Sequence, residues 1–101
     1  MAKKLTTPKK TSFEVSAEKR FWLSDGTILS SLKELDNAFG KMDESVWKHH
    51  VTKDRNDFAN WVEGVFQEKK LGLAIRKAKT AKAAGKLVRS KVEGAKLWTF
   101  F

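Results

Sequence analysis

The chain contains no cysteine, and its 101 residues include a single proline. The lack of cysteine excludes disulfide bonds, thiolate metal ligands and cysteine nucleophiles. No apolar run approaches the roughly 20 residues that a membrane span requires, and the basic N-terminus is not followed by the apolar core of a signal peptide. We therefore expect a cytoplasmic protein with one compact core, which a chain of this length can bury without disulfide bonds or bound metal ions.

Recognisable catalytic motifs are also lacking, since the sequence holds no GxxxxGK[ST], GxGxxG or HExxH pattern. His49 and His50 are the only histidines, and adjacent helical residues point about 100° apart, unlike zinc ligands at i, i+3 or i, i+4. His50 is interpreted as a core histidine bonded to backbone or to Asp54 or Asp57, with a general base as the alternative. We expect no enzyme, no cofactor and no small-molecule substrate.

Three carboxylates, Asp54, Asp57 and Glu63, would suit a divalent cation, but Lys53 and Arg55 interleave with them. A helix cap and surface ion pairs account for the same residues. No metal site is predicted.

Residues 56–66, NDFANWVEGVF, read as the central helix of the fold. Asn56 is a good N-cap, and Asp57 places a negative charge where the helix dipole favours it. The apolar positions follow the i, i+3, i+4, i+7, i+8 spacing of one helical face; they are Phe58, Trp61, Val62, Val65 and Phe66. The other apolar segments are expected to cover this face.

Residues 20–30 give the one clear β signal, two short apolar runs joined by Asp25-Gly26. That dipeptide suits a type I′ turn, so the segment predicts a β-hairpin. Alternation leaves an outward position for Trp22, and the candidates for the inward face are Phe21, Leu23 and Ile28.

Helical periodicity continues on both sides of residues 56–66. Ser31 and Glu34 form a capping box in which each side chain bonds the other residue's amide, and Asp43 begins a short second helix. After Phe66, whether the apolar pattern forms one helix or two is open; Thr80 is a candidate N-cap, and Gly94 is a candidate stop. The fold class predicted is mainly α, a small bundle of four or five short helices with an N-terminal β-hairpin. Residues 1–12 are expected to be a mobile basic arm, 13–94 the domain and 95–101 an aromatic tail.

The net charge of +9 is unevenly distributed. Residues 1–20 carry six basic and two acidic residues, residues 21–68 five and nine, and residues 69–101 ten and one, so the segments carry +4, −4 and +9. A basic end on a mildly acidic body predicts a dedicated electrostatic surface for a polyanion.

That surface is predicted on the last third. Lys79, Lys82, Lys86 and Arg89 are spaced 3, 4 and 3 apart, so they line one face if the helix is continuous. Lys77 and Lys91 would widen this face, and Lys9 and Lys10 of the arm would add to it. The first hypothesis is a small basic protein that binds DNA or RNA phosphates with little sequence specificity, as a nucleoid or ribonucleoprotein component. A merely solvated lysine face is the alternative interpretation of the same residues.

The aromatic end of the chain supports a second hypothesis. Trp98, Phe100 and Phe101 either fold back on the body or stay free as an anchor for a protein partner. The protein would then be an interaction module, and its basic end would serve solubility. If the three residues are free, aromatic side chains beside lysines could equally stack bases or insert into a membrane interface.

Four segments in order also resemble a known family: FWLSDGTILSSLKELDNAF, MDESVWKHHV, NDFANWVEGVF and LAIRKAKT, within residues 21 to about 80. The middle of the chain looks like a small uncharacterised prokaryotic domain family, found largely in archaea, which has no assigned activity. The resemblance implies a mainly helical domain and supplies no catalytic residue.

Overall fold

Five α-helices and one β-hairpin make up the part of the chain that the structure, a computed structural model, describes: the backbone of residues 14–98 and the side chains of residues 14–93. A 3-10 turn (Ala17–Lys19) leads into the hairpin. The elements are β1 (Phe21–Trp22), β2 (Ile28–Leu29), α1 (Leu32–Gly40), α2 (Glu44–His50), α3 (Asp57–Val65), α4 (Lys69–Lys77) and α5 (Ala81–Trp98). The mainly α fold with an N-terminal hairpin is confirmed.

The two faces of the hairpin follow from its register. Phe21 pairs with Leu29, and Trp22 pairs with Ile28. Directly opposite residues share one face of an antiparallel pair, so Phe21 and Leu29 face the core while Trp22 and Ile28 face outward, 65% and 43% exposed. The outward Trp22 is confirmed and Leu23 is buried, but the inward assignment of Ile28 is wrong, because it shares the face of Trp22.

The hairpin loop also differs from the predicted type I′ turn. Leu23 N–H donates to Thr27 O (2.8 Å), and Gly26 N–H donates to Leu23 O (2.9 Å), which leaves a three-residue loop. Gly26 has φ +96°, whereas Asp25 is not among the described residues with positive φ. This is the pattern of a turn followed by a glycine bulge. The Asp25 carboxylate stabilises it by accepting from Thr27 N–H (2.9 Å).

The start of α1 is capped nearly as predicted. Ser31 Oγ accepts from Glu34 N–H (3.1 Å). Glu34, however, accepts from the N–H and hydroxyl of Ser30 (2.7 and 3.0 Å) and not from Ser31. The reciprocal bond is therefore displaced by one residue, and it ties the end of β2 to the first turn of α1.

Phe58 of α3 lies at the centre of an aromatic cluster. It is fully buried. Its ring stacks on Phe21 of the hairpin and on Trp47 of α2, with centroids 5.2 and 5.7 Å away. Phe39 of α1 and His50 of α2 meet it edge-on at 5.0 and 5.3 Å. The central place predicted for this helix is confirmed.

Other inward residues follow the predicted periodicity. The N-cap of α3 is confirmed, since Asn56 Oδ1 accepts from Ala59 N–H (3.0 Å). Met42, Val51, Val65, Ala78 and Leu87 are only partly buried. The buried apolar set includes Leu32, Leu35, Phe39, Val46, Trp47, Phe58, Trp61, Val62, Phe66, Leu71, Ile75, Ala84, Val88 and Val92.

The last third forms two helices, α4 and α5, separated by residues 78–80. Thr80 is the N-cap of α5, because its Oγ1 accepts from Ala83 N–H (3.1 Å). The helix continues through Gly94 to Trp98, so the predicted stop at Gly94 is wrong. One glycine costs a helix only about 1 kcal/mol relative to alanine, and the residues that follow are good helix formers. The first four residues of the predicted aromatic tail thus belong to α5.

A glycine allows the close packing of α5 on α1. Gly85 is buried, and a Cβ at this position would lie 3.0 Å from the Cβ of Phe39. Farther along the two helices, Arg89 lies beside Asp36. Residue numbers therefore rise along α5 as they fall along α1, so the two helices are antiparallel.

Gly85→Ala is expected to lower the free energy of unfolding by up to about 2 kcal/mol. The displacement of Phe39 costs about 1–3 kcal/mol, which outweighs the gain of about 1 kcal/mol in helix propensity. Gly64→Ala in α3 is the matched control, since a Cβ there meets nothing within 4 Å; it should raise stability by about 0.5–1 kcal/mol. Urea denaturation of both variants tests this, and equal stabilisation by the two substitutions would contradict it.

Candidate nucleic-acid interface

The predicted phosphate-binding residues of the last third lie on three segments. Lys77 ends α4, Lys79 lies in the link, and the rest lie on α5. All are exposed. Because the helix is interrupted at 78–80, Lys79 does not extend the α5 stripe. Lys82, Lys86 and Arg89 do share one face of α5, at positions i, i+4 and i+7.

Carboxylates neutralise the C-terminal half of this stripe. Arg89 Nε lies 3.6 Å from Asp36 Oδ1, and the Asp36 side chain is only 5% exposed, between α1 and α5. Lys91 Nζ lies 3.1 Å from Glu68 Oε1. Glu93, which is exposed, follows Arg89 by one helical turn. A polyanion must therefore compete with an acid of the protein for Arg89 and for Lys91.

The remaining cations are not compensated in this way. Lys77, Lys79, Lys82 and Lys86 form no ion pair with any residue that the structure describes, and we name these four the basic corner. The first turn of α5 contains no acid, although the dipole at a helix N-terminus favours acids and disfavours lysine. The corner thus concentrates positive charge against a local rule of helix stability.

Helix α1 adds basic residues that sequence reasoning missed. Lys33 and Lys41 are exposed, and α1 packs along α5. The Phe39–Gly85 contact brings the end of α1, where Lys41 is the C-cap, beside the N-terminal half of α5. Both lysines lie in residues 21–68, whose net charge is negative, so the net charge of that segment gave no sign of a basic surface there. The spacing Lys33, Asn37, Lys41 on the exposed side of α1 was the available signal.

Five predicted contact residues have no described side chain. Lys9, Lys10, Phe100 and Phe101 lie outside the described residues, and Trp98 is described by its backbone alone. Their assignment to phosphate or partner binding stays a prediction.

His50 is a core histidine, as predicted. Its Nε2 accepts from Ser24 N–H (3.0 Å), so the ring proton is on Nδ1, which donates to Asp57 Oδ2 (2.9 Å). The other oxygen of Asp57 lies 3.1 Å from Arg55 Nε. Both ring nitrogens are thus bonded, and the histidine joins the hairpin loop to α2 and α3.

Asp57 and Glu63, two of the three carboxylates that could suit a divalent cation, bind different partners. Asp57 binds His50 and Arg55, whereas Glu63 pairs with Arg76 through Nε–Oε2 (3.1 Å) and Nη2–Oε1 (2.8 Å) bonds. Arg76 also donates to Asn60 Oδ1 (2.7 Å). Within the described residues, no three side chains of His, Asp or Glu are grouped to hold a metal ion.

The Arg76 bonds also affect titration. They hold the pKa of Glu63 below its ordinary value of 4.5, against a rise from partial burial. The same bonds raise the pKa of Arg76 above its ordinary value.

Comparisons with known proteins found no match: no family model, curated protein or solved structure matches the chain. Each helix within residues 14–98 is too short or too polar to cross a membrane. The class defined is a small, mainly helical domain with an N-terminal hairpin and a basic corner between its last two helices.

The Glu63–Arg76 pair is expected to stabilise the fold at neutral pH and not in acid. Because the folded pKa of Glu63 is lowered, its contribution is complete above the ordinary value and is lost as the pH falls through the folded pKa. Glu63→Gln should therefore lower the Tm at pH 7, and the difference from the wild type should shrink below about pH 4.

Circular-dichroism melts between pH 7 and about pH 3 measure this difference. Glu44→Gln is the control, since its pair with Lys48 is exposed on both sides and should add little at any pH. A deficit of the Glu63 variant that stays constant down to pH 3 would contradict the argument.

Proposed function

We propose that the protein binds nucleic-acid phosphate backbones through the basic corner, with little sequence specificity. The observation that carries this proposal is the concentration of lysine at the start of α5. Lys77, Lys79 and Lys82 lie within six residues, and the first turn of the helix contains no acid. Departures from local stability rules are expected at functional sites. Bound phosphates would relieve the repulsion between the lysines and interact favourably with the helix dipole.

The composition of the corner argues for backbone contacts over base recognition. All four of its side chains are lysines, which bind phosphate as point charges. The bidentate arginine contacts that read guanine, and the amides that read adenine, are absent from the corner. Ala81 and Ala83, which flank Lys82, are small enough for a phosphate backbone to approach the helix closely.

Other cations have secondary roles in this proposal. Lys41, at the end of α1, extends the positive surface beside the corner, whereas Lys33, at the start of α1, lies toward the C-terminal half of α5. Lys9 and Lys10 would add contacts from the N-terminal segment. Arg89 and Lys91 contribute only where phosphate displaces Asp36 or Glu68. A component of the nucleoid or of a cytoplasmic ribonucleoprotein fits such binding, and the resemblance to an archaeal domain family stays a prediction.

A protein-interaction module is the second candidate function. Trp22 and Ile28 favour it, because these two exposed apolar side chains are cross-strand neighbours on the outer face of the hairpin. In that case the basic end would serve solubility, and Trp98, Phe100 and Phe101 would add to partner contact.

Replacing two corner lysines, Lys82→Gln with Lys86→Gln, is expected to weaken binding to duplex DNA strongly. Four neutralised phosphates give a slope of log K against log salt near −3.6, and each lysine contributes about 0.9 of it. The double variant should therefore show a slope near −1.8 and roughly 60-fold weaker binding at 0.1 M salt. Fluorescence anisotropy between 50 and 300 mM salt measures both quantities.

The control is the double variant Lys48→Gln with Lys53→Gln, on α2 and the link after it, which removes the same net charge. Its slope should remain near that of the wild type. Equal losses in the two double variants would show that net charge alone drives binding. Weak, flat curves for the wild type would reject the function and direct attention to the Trp22–Ile28 surface.

A further inference from the structure

Within residues 69–93, the exposed side chains of α4, the link and α5 include no aromatic ring. The exposed residues of α5 up to residue 93 are lysine, arginine, alanine, serine and glutamate. Among the described residues, the large exposed apolar side chains are Trp22, Ile28 and Leu73. Of these, Leu73 lies one helical turn before Lys77 and has no ring, while Trp22 and Ile28 belong to the hairpin.

Proteins that hold single strands combine a basic groove with aromatic rings on which successive bases stack. Among the described side chains of α4, the link and α5, the corner has the charge without the rings. We therefore propose that its ligand is duplex nucleic acid, contacted over about four phosphates at one end of α5. This inference rests on the proposed function and specifies the substrate of the same site.

Duplex and single-stranded nucleic acid should differ in how tightly they bind the corner. Counterion release contributes about 0.9 per phosphate for a duplex and about 0.7 for a single strand. Over four phosphates at 0.1 M salt, the difference amounts to about sixfold in favour of the duplex. Stacking would strengthen single-strand binding roughly 5- to 150-fold per base and reverse this order. Tighter binding of the duplex therefore indicates that bases are not stacked on the protein, and tighter binding of the single strand indicates that they are.

The rigidity of the corner favours a regular row of phosphates. Ala84 and Val88 are fully buried, and Gly85 lies against Phe39, so α5 is held firmly on α1. Lys82 and Lys86 are then about 6 Å apart along the helix axis. A duplex presents phosphates at fixed spacing, whereas a single strand must first lose conformational freedom to match them.

The extent of contact is limited by acids of the protein. Asp36 lies beside Arg89, and Glu68 lies beside Lys91. Glu93 is exposed one turn beyond Arg89. A phosphate placed against the C-terminal half of α5 would meet these carboxylates, which confines the polyanion to the N-terminal half.

The first test compares one 20-base-pair sequence as duplex DNA, as duplex RNA and as each separated strand, by anisotropy between 50 and 300 mM salt. Both duplexes should bind about sixfold more tightly than the strands at 0.1 M salt, with a slope near −3.6. Tryptophan fluorescence should not be quenched on binding. Equal or tighter binding of the single strands, with steep salt dependence retained, would overturn the duplex inference and leave the proposed function standing. Flat curves for every ligand would reject both.

The second test concerns the extent of contact. Asp36→Asn should release Arg89 for a fifth phosphate, steepen the slope by about 0.9 and tighten duplex binding about eightfold at 0.1 M salt. Adding Arg89→Gln should remove that gain, whereas adding Lys48→Gln, which removes the same charge on α2, should leave most of it. Equal losses from the two additions would indicate a general charge effect. Glu93→Gln, at an exposed position that leaves the core intact, should change affinity in the same direction. Unchanged affinity in both single variants would overturn the limit that these acids set on α5.

Discussion

The fold depends on the burial of one ring, that of Phe58. It lies between the hairpin and α2, with α1 at its edge, so elements from three parts of the chain share one contact surface. A two-stranded hairpin is marginal by itself in water, and here the stacking of Phe21 on Phe58 fixes it. The His50 bonds to Ser24 and Asp57 orient the same elements around the ring.

Helices α4 and α5 are attached to this cluster from outside, and their attachment determines where charge is exposed. Burial of the small face of α5 on α1 turns its lysines outward, while Asp36 and Glu68 meet the cations of its C-terminal half. The protein thus divides one basic helix into a compensated half and an uncompensated half. This division, more than the net charge of +9, confines the uncompensated positive charge to one end of α5.

Helix positions could be read from the sequence because their signals are local. The period of Phe58, Trp61 and Val62, and the caps at Asn56 and Thr80, lie within a few residues of the backbone they organise. The hairpin register was harder to predict, since loops of two and three residues both accommodate Asp25-Gly26 and place Ile28 on opposite faces. The compensation of Arg89 was not predictable, because Asp36 is remote in sequence and the two meet only when α1 packs on α5.

The same antiparallel contact between α1 and α5 has a consequence for synthesis of the protein in the cell. Phe39 emerges from the ribosome early, but the surface that covers it from the side of Gly85 is translated much later. Until then α1 presents an incompletely covered apolar face, because contacts between distant parts of a chain form only after both parts are available. Completion of the core is therefore tied to translation of the basic helix, and a nascent chain stalled before Gly85 would expose Phe39 to chaperones or to aggregation.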